Sequence, residues 1–223
     1  MGGFQNQLLN QNFKQNFYDI IITELIRSCK IMIENCCSNK LSIPNHEEKI
    51  RTYLLENYLE NEKIRCAIGL SDVKIRFLPE VLENYDADTN TYIGRTDIRV
   101  LSSNWLSNPN DYYIVECKRL DGTKSLNKKY VDEGICRFVG DTPKYSSYNN
   151  KNIMLGFVVK DIDCSVVISE ITDIHNERIG DIIDKDITPI VNSKDYYLCE
   201  SVYTNQLSLS HIFYNVSSVI ISS

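Results

Sequence analysis

The sequence predicts an α/β domain: a central mixed β-sheet flanked by helices, with one extra helix at the N-terminal end. Three observations point there. Apolar residues recur at helical spacing in some stretches and at strand spacing in others, and the two kinds alternate along the chain. One stretch, NIMLGFVVK (152–160), is almost wholly apolar, as a strand covered on both faces would be. The 223 residues are 43% hydrophobic and 24% charged, ordinary for a soluble domain with a core of its own.

The elements follow in order. Residues 17–38 carry Ile21, Ile22, Leu25, Ile26, Cys29, Met32 and Ile33, a broad apolar stripe on one helix. LSIPN breaks it, with Pro44 as the breaker and Asn45 as a candidate cap. Residues 46–60 form a second helix. VKIRFLPEV (73–81) reads as a strand whose proline suggests an edge or a bend. The DADTNT loop leads into a second strand, TYIGRTDIRVL (91–101). A polar connection, SSNWLSNPN, separates it from a third, DYYIVECKRLDG (111–122). LDGTKS turns into a helix over 126–140, ended by Gly140. The apolar strand 152–160, a helix over 164–178 and strand-like stretches in the tail, 195–222, complete the chain. The order is α–β–β–β–α–β, then a helix. The expected organisation is an N-terminal helical extension, 1–44, packed on a single globular unit, 45–223.

Several function classes are disfavoured at once. No apolar run approaches the length of a membrane span. The start, MGGFQNQLLNQNFKQNF, has one lysine and no apolar block, unlike a secretory signal. The eight cysteines (29, 36, 37, 66, 117, 136, 164 and 199) are scattered and form no CxxC. With three lone histidines, His46, His175 and His211, they do not make a zinc pattern. They read as free thiols in a reducing, cytoplasmic compartment, and His211 reads as a packed surface histidine.

The chemistry-bearing residues lie on the second and third strands. Side chains alternate faces along a strand, so Glu116 and Lys118 point one way and Cys117 the other. If the two strands are neighbours, Asp97 joins them, and two carboxylates meet one ammonium. Two close acids repel, and a divalent cation would resolve that. The lysine can then stabilise charge or move a proton beside the metal.

The pattern TD(97)…E(116)C(117)K(118), with this element order, resembles the PD-(D/E)XK motif of the restriction-endonuclease-like nucleases. The likeness covers roughly residues 45–178, and Thr96 stands where the motif has proline. It implies a restriction-endonuclease-like αβββαβ core and metal-dependent cutting of phosphodiester bonds. Asp97, Glu116 and Lys118 would be catalytic. Mg²⁺ or Mn²⁺ would be held by Asp97, Glu116 and the peptide carbonyl of Cys117. Members often add an acid from the helix before the first core strand. Glu47 shares a stripe with Ile50, Leu54 and Tyr58 and is the expected candidate; Glu48 sits about 100° round the helix. A first-turn acid attracted by the helix dipole is the plainer reading of Glu47. Tyr130 and Arg137 share a face of helix 126–140, where the family can carry a supporting residue, although Tyr130 also suits core packing. Glu80 and Glu83 could approach the pocket or sit in a solvated turn.

Net charge is −6, yet residues 112–151 hold eight Lys or Arg against five Asp or Glu, a local +3 that leaves −9 elsewhere. Arg119, Lys124, Lys128 and Lys129 follow Lys118 and form a candidate rim for nucleic-acid phosphates, or simply a solvated helix face. DNA is the family's usual substrate, and RNA is the alternative. Paired cuts would need a homodimer. The rival expectations are a nuclease-fold binding or sensor subunit that does not cut, and an unrelated α/β enzyme with a structural Glu116–Lys118 pair.

Overall fold

A computed structural model describes residues 3–69 and 74–221. Helix α1 spans Gly3–Asn39, α2 Glu47–Leu54 and α3 Glu62–Ala67. The strands are β1 Ile75–Pro79, β2 Leu82–Asp86, β3 Thr91–Arg95, β4 Ile98–Ser102 and β5 Tyr112–Leu120. Helix α4 (Lys124–Asp132), β6 (Lys151–Val158) and α5 (Cys164–Ile179) follow. A closing meander comprises β7 (Ile183–Asn192), β8 (Tyr196–Tyr203) and β9 (Ser208–Asn215).

Seven strands form one mixed sheet in the order β1-β4-β5-β6-β9-β8-β7. Strands β5, β6 and β9 run parallel, and the other neighbours are antiparallel. The expected neighbours in the middle, the strand after Asp97, the Glu116 strand and the 152–160 strand, are β4, β5 and β6. Helices cover both faces. On one, Ile21, Leu25, Cys29 and Met32 of α1 and Ile50 and Leu54 of α2 pack against Tyr113, Val115 and Cys117 of β5. On the other, Tyr130 and Val131 of α4 and Val167 and Ile171 of α5 share a core with Ile114 and Leu120. Alternation therefore sends Glu116 and Lys118 toward the α4 side.

The structure corrects several boundaries. The expected strand 73–81, of which Val73 lies outside the described residues, stops at Pro79. Glu80 takes φ 50 and turns the chain. The expected strand 91–101 is two strands. Its first half, β3, pairs with β2 in a separate two-stranded hairpin, and only its second half, β4, joins the sheet. The base of the hairpin is closed by the Thr96 amide donating to the Val81 carbonyl and the Glu80 amide donating to the Asp97 carbonyl. Asp97 thus sits at the entrance to β4 rather than inside a strand.

Helix 126–140 is shorter than expected. It ends at Asp132, and Gly134 follows where a Cβ would lie 2.3 Å from the Tyr130 carbonyl oxygen, a backbone atom too close for any other residue without a shift. Gly140, at φ 112, belongs to the next loop. Helix 46–60 is α2 continued by one π-helical segment to Leu59. Asn45 does not cap it; His46 holds the cap position, and the Asn45 side chain accepts from Arg119 instead.

Helix α1 is longer than the periodic stretch 17–38, and α3, capped by the Asn61 side chain, was not expected. Strand β7 was not expected either. His211 is wholly buried, not at the surface: its ring meets the Tyr130 hydroxyl at 3.0 Å and the Ser201 hydroxyl at 2.8 Å. Burial pushes its pKa down to about 3, so it is neutral. Met1 and Gly2, the start of the stretch weighed as a leader, lie outside the described residues. Among the described residues, no helix is long and apolar enough to cross a membrane.

Candidate active site

The site forms where β4 stops and β5 continues. Their ladder ends at Ile98–Val115, and β5 runs on to Leu120. Past that point the β5 backbone has no strand partner on the β4 side, and buried backbone groups need partners. Carboxylates supply them. The Cys117 amide donates to Asp97 Oδ2 at 2.8 Å, and the Arg119 amide donates to Glu47 Oε2 at 2.9 Å. Glu47 opens α2, whose apolar stripe against the sheet brings its first turn to this edge.

Lys118 joins the same edge. Its Nζ donates to Glu116 Oε1 at 2.6 Å and to the Cys117 carbonyl at 2.9 Å, and lies 3.5 Å from Glu47 Oε1. Three of the four expected metal donors therefore converge on one cationic nitrogen. The fourth, Asp97, turns its Oδ1 to Arg51 Nη1 in a very short contact, and Arg51 Nη2 donates to Glu80 at 2.8 Å. Arg137 Nη1 lies 2.9 Å from Glu116 Oε1, and the Tyr145 hydroxyl is 2.7 Å from Glu116 Oε2.

A cleft of about 380 Å³ opens above these groups. Glu47, Glu48, Glu80 and Asp97 face Arg51, Arg95, Lys118, Arg137 and Lys144 across it. With Glu116 beneath the floor, acids and cations balance, so the cleft is near neutral with no added ion.

Burial sets the protonation states. Glu116 has no exposed surface; burial, then the nearby Asp97 charge, pushes its pKa up to about 7 against the pull of Lys118 and Arg137. Burial works against the Lys118 charge, but Glu116, Glu47 and Asp97 outweigh it and hold the ammonium protonated. Arg51 is held the same way, chiefly by Asp97 against burial. Burial, then Asp97, lifts the Cys117 thiol well above its ordinary range, so it is an inert neutral group.

The donors suit a hard divalent cation in kind, being carboxylate and carbonyl oxygens only. Each is already engaged by nitrogen. Among the described residues, no group of three or more His, Cys, Asp or Glu side chains is arranged to hold a metal. A metal held by these oxygens would have to replace the contacts that Lys118 and Arg51 make with them.

The structure brings together Asp97, Glu116, Lys118, Glu47 and the Cys117 backbone, and with them the candidate Arg137, which lies on the turn Ile135–Arg137 after α4 rather than on the expected helix. Glu48 lines the cleft without bonding to β5, and Glu80 reaches the site through Arg51. Glu83 is turned away, toward Arg99 and Tyr112. Tyr130 is core, stacked on Phe213. Arg119 is held by the Asn45 carbonyl and side chain. Lys124, Lys128 and Lys129 are exposed on α4, outside the residues lining the cleft. Sequence reasoning missed Arg51 and Tyr145. Arg51 lies four residues after Glu47, on the same helix face, and that spacing was a usable signal. Tyr145 sits in an irregular loop that carries none.

Among models of known families, curated proteins and solved structures, none matches this chain.

Proposed function

We propose that this protein is a nuclease that uses Mg²⁺ or Mn²⁺ to hydrolyse phosphodiester bonds in DNA, on a restriction-endonuclease-like αβββαβ core. One observation carries the reading: Glu116, the Cys117 carbonyl and Glu47 converge on a single cationic nitrogen beside Asp97. Asp97, Glu116, Glu47 and the Cys117 carbonyl would hold the ion. When bound, it would lower the pKa of a water and neutralise charge on the phosphate.

The chain's own residues do the rest. Lys118, kept cationic by its carboxylates, stabilises the negative charge that builds on the phosphate oxygens. It can take a proton only when those carboxylates are engaged elsewhere. Arg137 anchors Glu116 from the α4 side and offers further positive charge to a phosphate in the cleft. Tyr145 fixes the rotamer of Glu116.

The second reading, a nuclease-fold subunit that binds without cutting, is favoured by the internal pairing of Asp97, Glu116 and Glu47, the acids that would hold the ion. One assay separates the two. Plasmid, linear and single-stranded DNA, and RNA, are incubated with Mg²⁺, Mn²⁺ or EDTA. The nuclease reading expects cutting with metal, none in EDTA and none by Asp97→Ala. Intact substrates in every metal, with calorimetry showing no ion bound, would remove it.

A further inference from the structure

The core on the α4 and α5 side of the sheet holds a chain of hydrogen bonds that the cutting chemistry does not use. It links Tyr130 of α4, His211 of β9, Ser201 and Tyr203 of β8, His175 of α5 and Asp186 of β7. The first five have no exposed surface. Asp186, with 39% of its side chain exposed, is the end that reaches solvent.

Each proton in the chain has one place. Asp186 accepts from the Ile187 amide at 3.1 Å and from the Asn176 side chain, and it accepts again from His175 Nδ1–H, 3.2 Å away. Burial holds the His175 pKa below its ordinary 6.5 against the pull of Asp186, so at pH 7 the ring is neutral and its Nε2 accepts. The Tyr203 hydroxyl donates to that nitrogen at 3.0 Å and accepts from Ser201 at 3.0 Å. Ser201 in turn accepts from His211 Nε2–H at 2.8 Å, which leaves His211 Nδ1 to accept from the Tyr130 hydroxyl at 3.0 Å. Every bond therefore runs one way, from Tyr130 outward to Asp186.

We propose that this chain is a proton-sensing relay: a proton taken up by His175 at the α5–β7 edge reverses it as far as Tyr130 and weakens the tie between α4 and β9. The proton comes from solvent and adds to His175 Nε2, which becomes a donor. Each hydroxyl keeps its own hydrogen and turns it inward, and the His211 hydrogen moves from Nε2 to Nδ1. Tyr130 then accepts, and its own hydrogen is orphaned, because that hydroxyl makes no other hydrogen bond among the described residues. An orphaned buried hydrogen opposes the reversal. Asp186 faces the sensor from β7 and Tyr203 from β8, and His211 of β9 lies beyond Ser201. On the α4 side, Asp132 is paired with Arg178 of α5 at 3.2 Å, and Cys136 is a neutral thiol, its pKa raised by burial and then by Asp132. Helix α4 leads into the turn that carries Arg137 to Glu116, so the inner end of the relay lies on the element before a cleft residue. The proposal stands whether or not the chain cuts nucleic acid.

Long-range ¹H–¹⁵N spectra of the ¹⁵N-labelled full chain test it. At pH 7 the native chain should show His211 as the Nε2–H tautomer and His175 as the Nδ1–H tautomer, with His175 titrating below pH 6.5. Tyr130→Phe keeps the ring stacked on Phe213 and removes the hydroxyl alone. His211 Nδ1 then lacks a partner in either direction, so reversal orphans nothing new, and the His175 midpoint should rise by about one pH unit. Ser201→Ala cuts the chain. Protonation there orphans the Tyr203 hydrogen, so the midpoint should stay near the native value, and Tyr130→Phe added to Ser201→Ala should not move it. An Nδ1–H tautomer at His211 in the native chain overturns the proposal, as does an unmoved midpoint in Tyr130→Phe. So does an equal rise in Tyr130→Phe/Ser201→Ala, which would make the effect one of field rather than of the chain. The native tautomers decide the matter even if a variant fails to fold.

Discussion

The Tyr145 hydroxyl lies 2.7 Å from Glu116 Oε2 and 2.8 Å from the carbonyl oxygen of Arg95, and Arg137 donates to it at 2.6 Å. A hydroxyl has one proton and cannot donate fully to both acceptors. A proton on Glu116 resolves the conflict: the acid then donates to the hydroxyl oxygen, and the hydroxyl donates to Arg95. This geometry agrees with a Glu116 pKa raised by burial to about 7.

A pH dependence follows for the metal-free chain. Folding raises the Glu116 pKa from its ordinary 4.5 to about 7, so the folded state binds the proton more tightly than the unfolded state. The stabilisation is full below pH 4.5 and is lost as pH rises through about 7. Denaturant melts in EDTA should show this loss in the native chain, with a slope approaching about 1.4 kcal/mol per pH unit. Glu116→Gln should flatten the slope across that window. Parallel profiles for the two proteins would show that Glu116 is ionised throughout.

Replacing Lys118 separates catalysis from folding. Lys118→Met removes the ammonium but leaves Arg137 and Tyr145 on Glu116, and the acid can answer by keeping its proton. The fold should survive below about pH 7 while cutting with Mg²⁺ falls by roughly 10² or more. Circular dichroism and a plasmid-nicking assay check the two halves. Full activity in the variant would make the lysine a bystander, and an unfolded variant at pH 6 would make it structural.

Arg51 competes with any cation for Asp97. Its guanidinium holds Asp97 Oδ1, a carboxylate oxygen that a metal would use. Arg51→Met should therefore bind Mn²⁺ more tightly, by about tenfold if the competition costs the metal 1.4 kcal/mol. It should also lower the melting temperature in EDTA, where Asp97 has lost its partner. Isothermal titration measures the first and thermal melts the second. Weaker Mn²⁺ binding in the variant would mean that Arg51 orients Asp97 for the metal instead of excluding it.

What was legible in the sequence was whatever short-range periodicity controls. Strand alternation put Glu116 and Lys118 on one face, and the 46–60 stripe brought Glu47 to the same edge. The single reading of TYIGRTDIRVL failed because its β propensity is unbroken. The break at Thr96–Asp97 is made by hydrogen bonds to Glu80 and Val81, some fifteen residues away, which no local pattern encodes. Strand β7 was invisible for the opposite reason. It is a largely exposed edge strand with Pro189 and irregular pairing, so it lacks the apolar alternation that marks a strand. Tyr145 comes from an irregular loop, and its position is set by non-local contacts: its amide donates to the Arg137 carbonyl, its ring packs on Phe138, and the hairpin lies against it.

That packing gives the last prediction. Gly94 lets β3 lie against the Lys144 carbonyl and the Tyr145 ring, and a methyl group there would sit 2.7 Å from a backbone oxygen that is itself tied to Asn84. Neither neighbour is the free end of a flexible chain, so the hairpin must lift. Gly94→Ala should cost about 1–3 kcal/mol of stability, the range for overpacking a filled site. It should also reduce cutting more than the stability loss explains, because the Arg95 carbonyl moves with the hairpin and releases the Tyr145 hydroxyl from its place beside Glu116. Gly180→Ala is the matched control. Gly180 has φ −52 and no atom within 4 Å of an added Cβ, so that change should stay within about 0.5 kcal/mol of neutral and leave cutting alone. Denaturant melts and initial cleavage rates on both variants decide it. If Gly94→Ala matches Gly180→Ala in both measurements, the hairpin is not coupled to Glu116 through Tyr145.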